Sequence, residues 1–240
     1  MATKEKMNPK KTARIAGVLY LILIVSGIFS YMIVSSRLIV PGDTATTVNN
    51  IMASESLYRS GIVSWLISET VFILLAYFLY KLLKPVNKNQ ALLMVMFVLV
   101  AVSISFINEL NKFAALLLLS GADYLTAFAA DQLHALVMFF LDLHEYGVHV
   151  SGMFFGLWLL PLGYLVFKSG FLPRILGILL MVGWLGYMLD FFTFFLFPDL
   201  NVTIGPIFQL TGIGEFLFPL WLLIKGVDVE QWEKCALESV

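Results

Sequence analysis

Long apolar stretches alternate along this chain with short polar connections. Six stretches reach about 20 or more mostly apolar residues, the length a helix needs to cross the hydrocarbon core of a bilayer. Their approximate bounds are Ala13 to Ser36, Leu57 to Leu83, Gln90 to Leu119, Tyr146 to Phe167, Leu172 to Phe197 and Ile204 to Ile224. These runs are too long and too uniformly apolar for barrel strands. The pattern therefore predicts an all-α polytopic transmembrane bundle with six spans.

Composition supports this fold class. Apolar residues make up 60% of the chain and charged residues 13%, whereas soluble proteins have roughly half and a quarter. The formal net charge of −1 gives no basic surface for nucleic acid, and the single cysteine, Cys235, excludes an intramolecular disulfide. We therefore expect the lipid bilayer as the principal partner, no nucleic acid and no cofactor, while the oligomeric state is left open.

The positive charges predict the orientation, because Lys and Arg near spans stay on the cytoplasmic side. Twelve of the fifteen precede the first span, follow the sixth, or lie between spans two and three or four and five. Only Arg37 and Arg59 lie in the opposite connections. We predict a basic cytoplasmic N-terminus over residues 1–12, one transmembrane domain over 13–225 and a short cytoplasmic tail over 226–240. The first span is too long for a signal-peptide core, so we expect it to stay uncleaved in the plasma membrane.

The connections on the outer side are polar. Residues 120–145 contain four acids and no Lys or Arg, with apolar residues at helical spacing. This pattern predicts an amphipathic outer helix between spans three and four, or an extension of the fourth span. The connection from Arg37 to Ser56 is polar enough to be a solvated loop.

Ionisable residues within spans are candidates for function, because each costs about 2.5 to 3.5 kcal/mol at mid-bilayer. Ser105, Asn108, Glu109 and Lys112 follow at i, i+3, i+4 and i+7 and so share one face of the third span. That face must point into protein or water. Glu109 and Lys112 can pair, either as part of a functional site or only to fix the rotation of the helix.

Other spans carry acids as well. At the helical rise, Glu69 and Glu215 lie near the midplane and Asp190 in the outer half. Together with Glu109 they make four acids against one permanent base, Lys112. The surplus carboxyl groups must be protonated, face a hydrated cavity or hold a cation, unless they simply hydrogen-bond neighbouring helices.

The fourth span begins with His144-Glu145-Tyr146-Gly147-Val148-His149, which differs from the HExxH zinc motif by one extra residue. The two histidines are therefore off register and cannot share a face as that motif requires. Glu145 and His149 could bind a metal with a third ligand, but a hydrogen-bonded interfacial pair is the preferred interpretation. No metal site is predicted.

Several stretches, including Leu38-Ile39-Val40-Pro41-Gly42-Asp43 and Leu83-Lys84-Pro85-Val86-Asn87, resemble a family of bacterial multi-pass membrane proteins catalogued as domain of unknown function 4386. The stretch from Gly163 to Gly177 is the most specific part. The resemblance covers roughly Lys10 to Val227. It implies a prokaryotic integral membrane protein and brings no activity, cofactor or catalytic residue.

We predict a polar pocket that opens outward under residues 120–145. Its candidate residues are Glu69, Asn108, Glu109, Lys112, His149, Asp190 and Glu215. Convergence of unpaired acids favours binding or transport of a small solute, an ion or a proton. The alternatives are a metal-dependent membrane enzyme using His144, Glu145 and His149, which the sequence favours less, or a non-catalytic partner of another membrane protein.

Overall fold

The computed structural model of the chain describes residues 7–238. Lys4 and Lys6, which belong to the predicted basic N-terminus, and the last two residues of the predicted tail lie outside them. Helices account for 87% of the structure, and the described residues form no strands, so the all-helical fold class is confirmed. Within residues 7–238, five helices are long and apolar enough to cross a membrane, or six if one bent pair counts as a span.

The helices follow one another with short connections. In chain order they are α1 (Pro9–Leu38), α2 (Thr44–Ala53), α3 (Glu55–Leu83), α4 (Lys88–Leu118), α5 (Ala130–Lys168), α6 (Arg174–Leu196), α7 (Pro198–Gln209), α8 (Ile213–Ile224) and α9 (Val229–Glu238). A π-helical segment, Phe29–Ser35, interrupts α1. Short 3₁₀ turns cover Asp123–Ala127 and Leu210–Gly212.

Two of the connections that were predicted to be outer differ from the simplest expectation. Among the described residues, no separate amphipathic helix precedes the fourth predicted span, because α5 runs without interruption from Ala130 through Glu145 into that span. Residues 130–146 contain no Pro or Gly to stop the helix. The structure therefore has the other predicted alternative, an extension of the fourth span.

The predicted solvated loop after α1 contains the helix α2, so this expectation was wrong. Asp43 caps α2 by accepting hydrogen bonds from the Thr46 backbone N–H at 2.9 Å and from its hydroxyl at 2.7 Å. These two donors hold the pKa of Asp43 below its ordinary value. Thr47, Val48 and Ile51 are buried, so the helix forms because its apolar face packs.

The sixth predicted span is broken. The segments Pro198–Gly205 and Leu210–Ile224 are bent by 50° relative to each other, and together they could form one span or a re-entrant pair. The exact number of spans therefore stays a prediction. The predicted tail also contains a helix, α9.

The contacts divide the chain into two compact units. The first comprises Met1–Leu21, Val71–Ala101 and Gly152–Val240, and the second comprises Ile22–Thr70 and Val102–Ser151. An aromatic core of Tyr20, Phe72, Trp158 and Phe218 lies in the first unit, with ring centroids 4.8 to 6.4 Å apart. A core that includes Val34, Ile51, Ile62, Ala115 and Val137 lies in the second.

The glycines of the most specific family stretch allow two helices of the first unit to touch. A Cβ on Gly163 would lie 2.7 Å from the Gly177 carbonyl oxygen, and one on Gly177 would lie 2.6 Å from the Gly163 carbonyl oxygen. Any larger residue at either position would separate α5 from α6. Close packing of the two helices therefore explains why both positions are glycine.

Connections that carry many of the basic residues meet at one end of the first unit. The Trp232 indole N–H on α9 donates to the Leu82 carbonyl oxygen at 2.8 Å, just before the connection between α3 and α4. The Asp228 backbone N–H donates to the Phe171 carbonyl oxygen at 3.2 Å, in the connection between α5 and α6. Gly226 lies against the Lys10 side chain. The start of α1, two connections and the C-terminal segment therefore share one end.

Candidate functional site

The polar face of α4 is buried and its apolar face is exposed. Glu109 and Lys112 are 1% and 4% exposed, whereas the neighbouring Ile107 and Leu110 are 69% and 61% exposed. A soluble helix has the reverse arrangement. The inward-facing polar stripe predicted from the sequence is therefore confirmed, and the exposed apolar side chains suit contact with lipid.

A buried ionic cluster lies on this stripe in the second unit. The Lys112 ammonium nitrogen lies 3.2 Å from Glu109 Oε1, and His144 Nε2 lies 3.0 Å from the same oxygen. We call Glu109, Lys112 and His144 the Glu109 cluster. The Asn108 side-chain amide donates to the His144 carbonyl oxygen at 2.8 Å. This bond joins α4 to α5 and places the imidazole beside the carboxylate.

Helix α3 supplies the other side of the cluster. The Trp65 indole N–H donates to the Ser105 hydroxyl at 2.8 Å, and the Lys112 ammonium lies 6.0 Å from the centre of the Trp65 ring. The Ser105 hydroxyl in turn interacts with the Glu69 carboxyl group, which is 3% exposed. Since Ser105 accepts from the indole, its own proton is available to Glu69. Glu69 therefore belongs to the same polar interior as the Glu109 cluster.

Three buried oxygen atoms in this unit have no hydrogen-bond partner among residues 7–238. They are Glu69 Oε2, Glu109 Oε2 and the Ser30 hydroxyl in the π-helical segment of α1. Buried polar atoms are normally satisfied, and π-helical segments occur often at functional sites. Each carboxyl group thus keeps one oxygen that can accept a proton, a cation or a donor group of a solute.

A further acid, Glu215, is half-buried in the first unit. Glu215 Oε2 accepts a hydrogen bond from the Tyr20 hydroxyl at 3.2 Å, and Tyr187 also hydrogen-bonds this carboxyl group. Glu215 lies in the first turn of α8, which follows the 3₁₀ turn Leu210–Gly212. A helix N-terminus stabilises negative charge, so the start of α8 and the two hydroxyls together hold the acid. Pro219 lies within α8, as the sequence indicated.

Asp190 has a separate set of partners in the same unit. Its Oδ1 accepts from the Asn201 side-chain amide at 3.1 Å, and that amide also donates to the Thr193 hydroxyl at 2.9 Å. These bonds connect α6 to α7. Asn201 therefore acts as a link between helices.

The structure groups the candidate residues in two places. It brings Glu69, Glu109 and Lys112 together in the second unit, with Asn108 bound to His144 beside them, and His149 belongs to the same unit. Asp190 and Glu215 belong to the first unit. A single pocket lined by all seven residues stays a prediction.

Sequence reasoning missed His144 as the partner of Glu109. The two residues are 35 positions apart, and only the packing of α4 against α5 joins them. The sequence around His144 favoured a hydrogen-bonded interfacial pair of Glu145 and His149, with metal binding as the less favoured alternative, and gave no sign of Glu109 as a partner. No three His, Cys, Asp or Glu side chains in the described part of the chain come together to hold a metal ion.

Comparison with known proteins agrees with the resemblance seen in the sequence. Residues 15–226 match the family described as "Domain of unknown function (DUF4386)". The chain belongs to this family. An Archaeoglobus fulgidus protein named "Uncharacterized protein" is 36% identical over 150 residues, which cover 62% of this chain and 72% of that protein. No solved structure matches. Since that relative is archaeal, a bacterial source stays a prediction.

Proposed function

We propose that this member of the family is a six-span plasma-membrane protein that binds a small solute or ion and transports it in a proton-linked way. The Glu69 and Glu109 carboxyl groups form the centre of the site. The observation that carries the proposal is the burial of both acids beside one lysine, each with a carboxyl oxygen that no described residue satisfies. One transmembrane domain over 13–225 and both termini in the cytoplasm belong to the same proposal.

The charges around the site explain why a proton is involved. Lys112 contacts Glu109 and balances one negative charge. A second carboxylate at Glu69 would be a buried charge without a cation, which is costly in a membrane interior. Glu69 therefore carries a proton, or its charge is balanced by a bound cation. Exchange between these two states would link proton movement to the binding of a cationic ligand.

Grouping of the basic connections supports the proposed topology. The start of α1, two connections and the C-terminal segment meet at one end of the first unit. An even number of crossings brings all of them to one side, and positive residues favour the cytoplasmic side. A six-span chain meets both conditions.

Proton flux into proteoliposomes tests the proposal. Protein is reconstituted with a pH-sensitive dye inside the vesicles, and a potassium diffusion potential drives protons inward. We expect faster acidification than in protein-free vesicles, and a return to the protein-free rate for Glu69→Gln. Glu230→Gln is the control, because it makes the same change of carboxyl group to amide in a side chain that is 78% exposed on α9.

A structural readout accompanies the flux. Glu69→Gln should shift thermal unfolding in detergent by the equivalent of less than about 1 kcal/mol, because glutamine is isosteric with a neutral carboxyl group. A loss of roughly 3 kcal/mol or more would mean that Glu69 is ionised and paired, contrary to the proposal. Equal proton flux in Glu69→Gln and the parent would also contradict it. A parent protein with no flux above protein-free vesicles would refute proton transport.

A further inference from the structure

A large cavity lies at the end of the first unit where the basic connections meet. Its volume is about 990 Å³, and we call it the lysine cavity after Lys84, Lys88 and Lys168, which line it. Glu238 is the acid among the described lining residues. The lining thus carries more positive than negative charge.

In the part of the chain that the structure describes, these three lysines form no ion pair with an acid. Other basic residues do form such pairs: Arg59 with Glu55, Lys112 with Glu109 and Lys234 with Glu230. Lys84 and Lys168 lie at the carboxyl ends of α3 and α5, where the helix dipole favours a cation. Lys88 begins α4, where the dipole disfavours one. The dipole therefore does not account for all three positions, and three exposed ammonium groups around one cavity give it a positive field that attracts an anion.

Tyrosines one helical turn deeper identify the kind of anion. Tyr80 precedes Lys84 by four residues and Tyr164 precedes Lys168 by four, and both tyrosines line the cavity. Residues four apart lie on the same helix face. The apolar runs of α3 and α5 end here, and tyrosine side chains prefer the level where hydrocarbon meets headgroups. The cavity therefore offers cations at the phosphate level and phenol groups at the level of the glycerol and ester groups.

We propose that the lysine cavity binds the headgroup of an anionic phospholipid, with its phosphate among Lys84, Lys88 and Lys168. Basic pockets between transmembrane helices are known to hold such headgroups. The inference does not depend on the proposed transport function, because none of these residues belongs to the Glu69 and Glu109 site. A free phosphate would use the lysines but not the tyrosines, so the lipid is the better match.

Binding of phosphatidylglycerol to the purified protein in a neutral detergent tests the inference, with native mass spectrometry as the readout. We expect phosphatidylglycerol to bind much more tightly than phosphatidylcholine, inorganic phosphate or glycerol phosphate. Neutralising all three lysines as Lys84→Gln, Lys88→Gln and Lys168→Gln should weaken binding by about a hundredfold at low salt, from the usual contribution of each lysine near anionic lipid. Replacing the same lysines by arginine should preserve binding.

The matched control removes three positive charges from residues that do not line the cavity, as Arg37→Gln, Arg59→Gln and Lys225→Gln. It should leave the affinity within about threefold, since the one ion pair it breaks, Arg59 with Glu55, is exposed and contributes little. Equal loss in this control would show that net charge alone attracts the lipid and would overturn the site. Equal binding of free phosphate would overturn the lipid, and equal binding of phosphatidylcholine would overturn recognition of an anion.

Cys235 provides a measurement on the unaltered protein in case the variants do not fold. This cysteine lines the cavity and is the only one in the chain. Burial and the nearby Glu238 raise the pKa of its thiol, so alkylation is slow enough to follow. Phosphatidylglycerol should slow the reaction with a maleimide several-fold, whereas phosphatidylcholine should not. No difference between the two lipids would contradict the proposal.

Discussion

Separate replacement of Glu109 and Lys112 should destabilise the protein far more than their joint replacement. The two charged groups are 3.2 Å apart, and their side chains are 1% and 5% exposed. Glu109→Gln leaves Lys112 buried without a carboxylate, which costs about 3 to 5 kcal/mol for pairs this deeply buried. The double variant Glu109→Gln with Lys112→Met removes both charges and should recover most of that loss.

Thermal unfolding in detergent measures the effect, with tryptophan fluorescence as the signal. In a protein of this size 1 kcal/mol shifts the midpoint by roughly 2 to 4 °C, so a 3 kcal/mol loss lowers it by roughly 6 to 12 °C. The midpoint of the double variant should lie within about 4 °C of the parent. Glu55→Gln with Arg59→Gln is a control for an exposed pair and should change the midpoint little.

The second partner of Glu109 makes the lysine variant sensitive to pH. In Lys112→Met, His144 lies 3.0 Å from the same carboxylate oxygen and can supply the missing positive charge when it is protonated. That stabilisation is present at low pH and is lost as the histidine releases its proton. The midpoint of Lys112→Met should therefore fall as the pH is raised, and more steeply than that of the parent.

Additive losses would refute this reasoning. If the double variant loses the sum of the two single losses, the two groups do not stabilise each other, and Glu109 and Lys112 are held by other contacts. If Glu109→Gln itself costs less than about 1 kcal/mol, the buried ammonium does not depend on the carboxylate.

Two further predictions concern packing and topology. Gly147→Ala should destabilise the protein by about 1 to 3 kcal/mol in the same unfolding assay, because the added Cβ would overlap the Asn108 side chain. Gly152→Ala is the control and should be tolerated, since nothing lies within 4 Å of its added Cβ. Equal effects of the two would show that Asn108 can move aside. In a cysteine-free background, a cysteine at Thr44 should react with an impermeant reagent from outside the cell and one at Lys88 should not. Outside labelling at Lys88 would contradict the proposed orientation.

Much of the helix layout is predictable from the sequence, because every helix that crosses the bilayer must be long enough to span its hydrocarbon core. The starts of α3 and α4 lie within two residues of the starts of the apolar runs Leu57 to Leu83 and Gln90 to Leu119. The inward face of α4 was also predictable, since a local repeat of polar residues determines which side of a helix avoids lipid. Features that depend only on local periodicity or on the length of a segment can therefore be predicted from the sequence.

Tertiary structure alone decided which groups face these polar residues. His144 approaches Glu109, and Tyr20 approaches Glu215 across 195 positions, because helices distant in the chain pack together. Likewise, α2 folds because its apolar face finds a core, and α7 and α8 meet at an angle where a continuous apolar run suggested one straight span. Hydropathy records how far each segment avoids water. Hydropathy carries no information on which helices pack against each other, and the partners of buried charges depend on that packing.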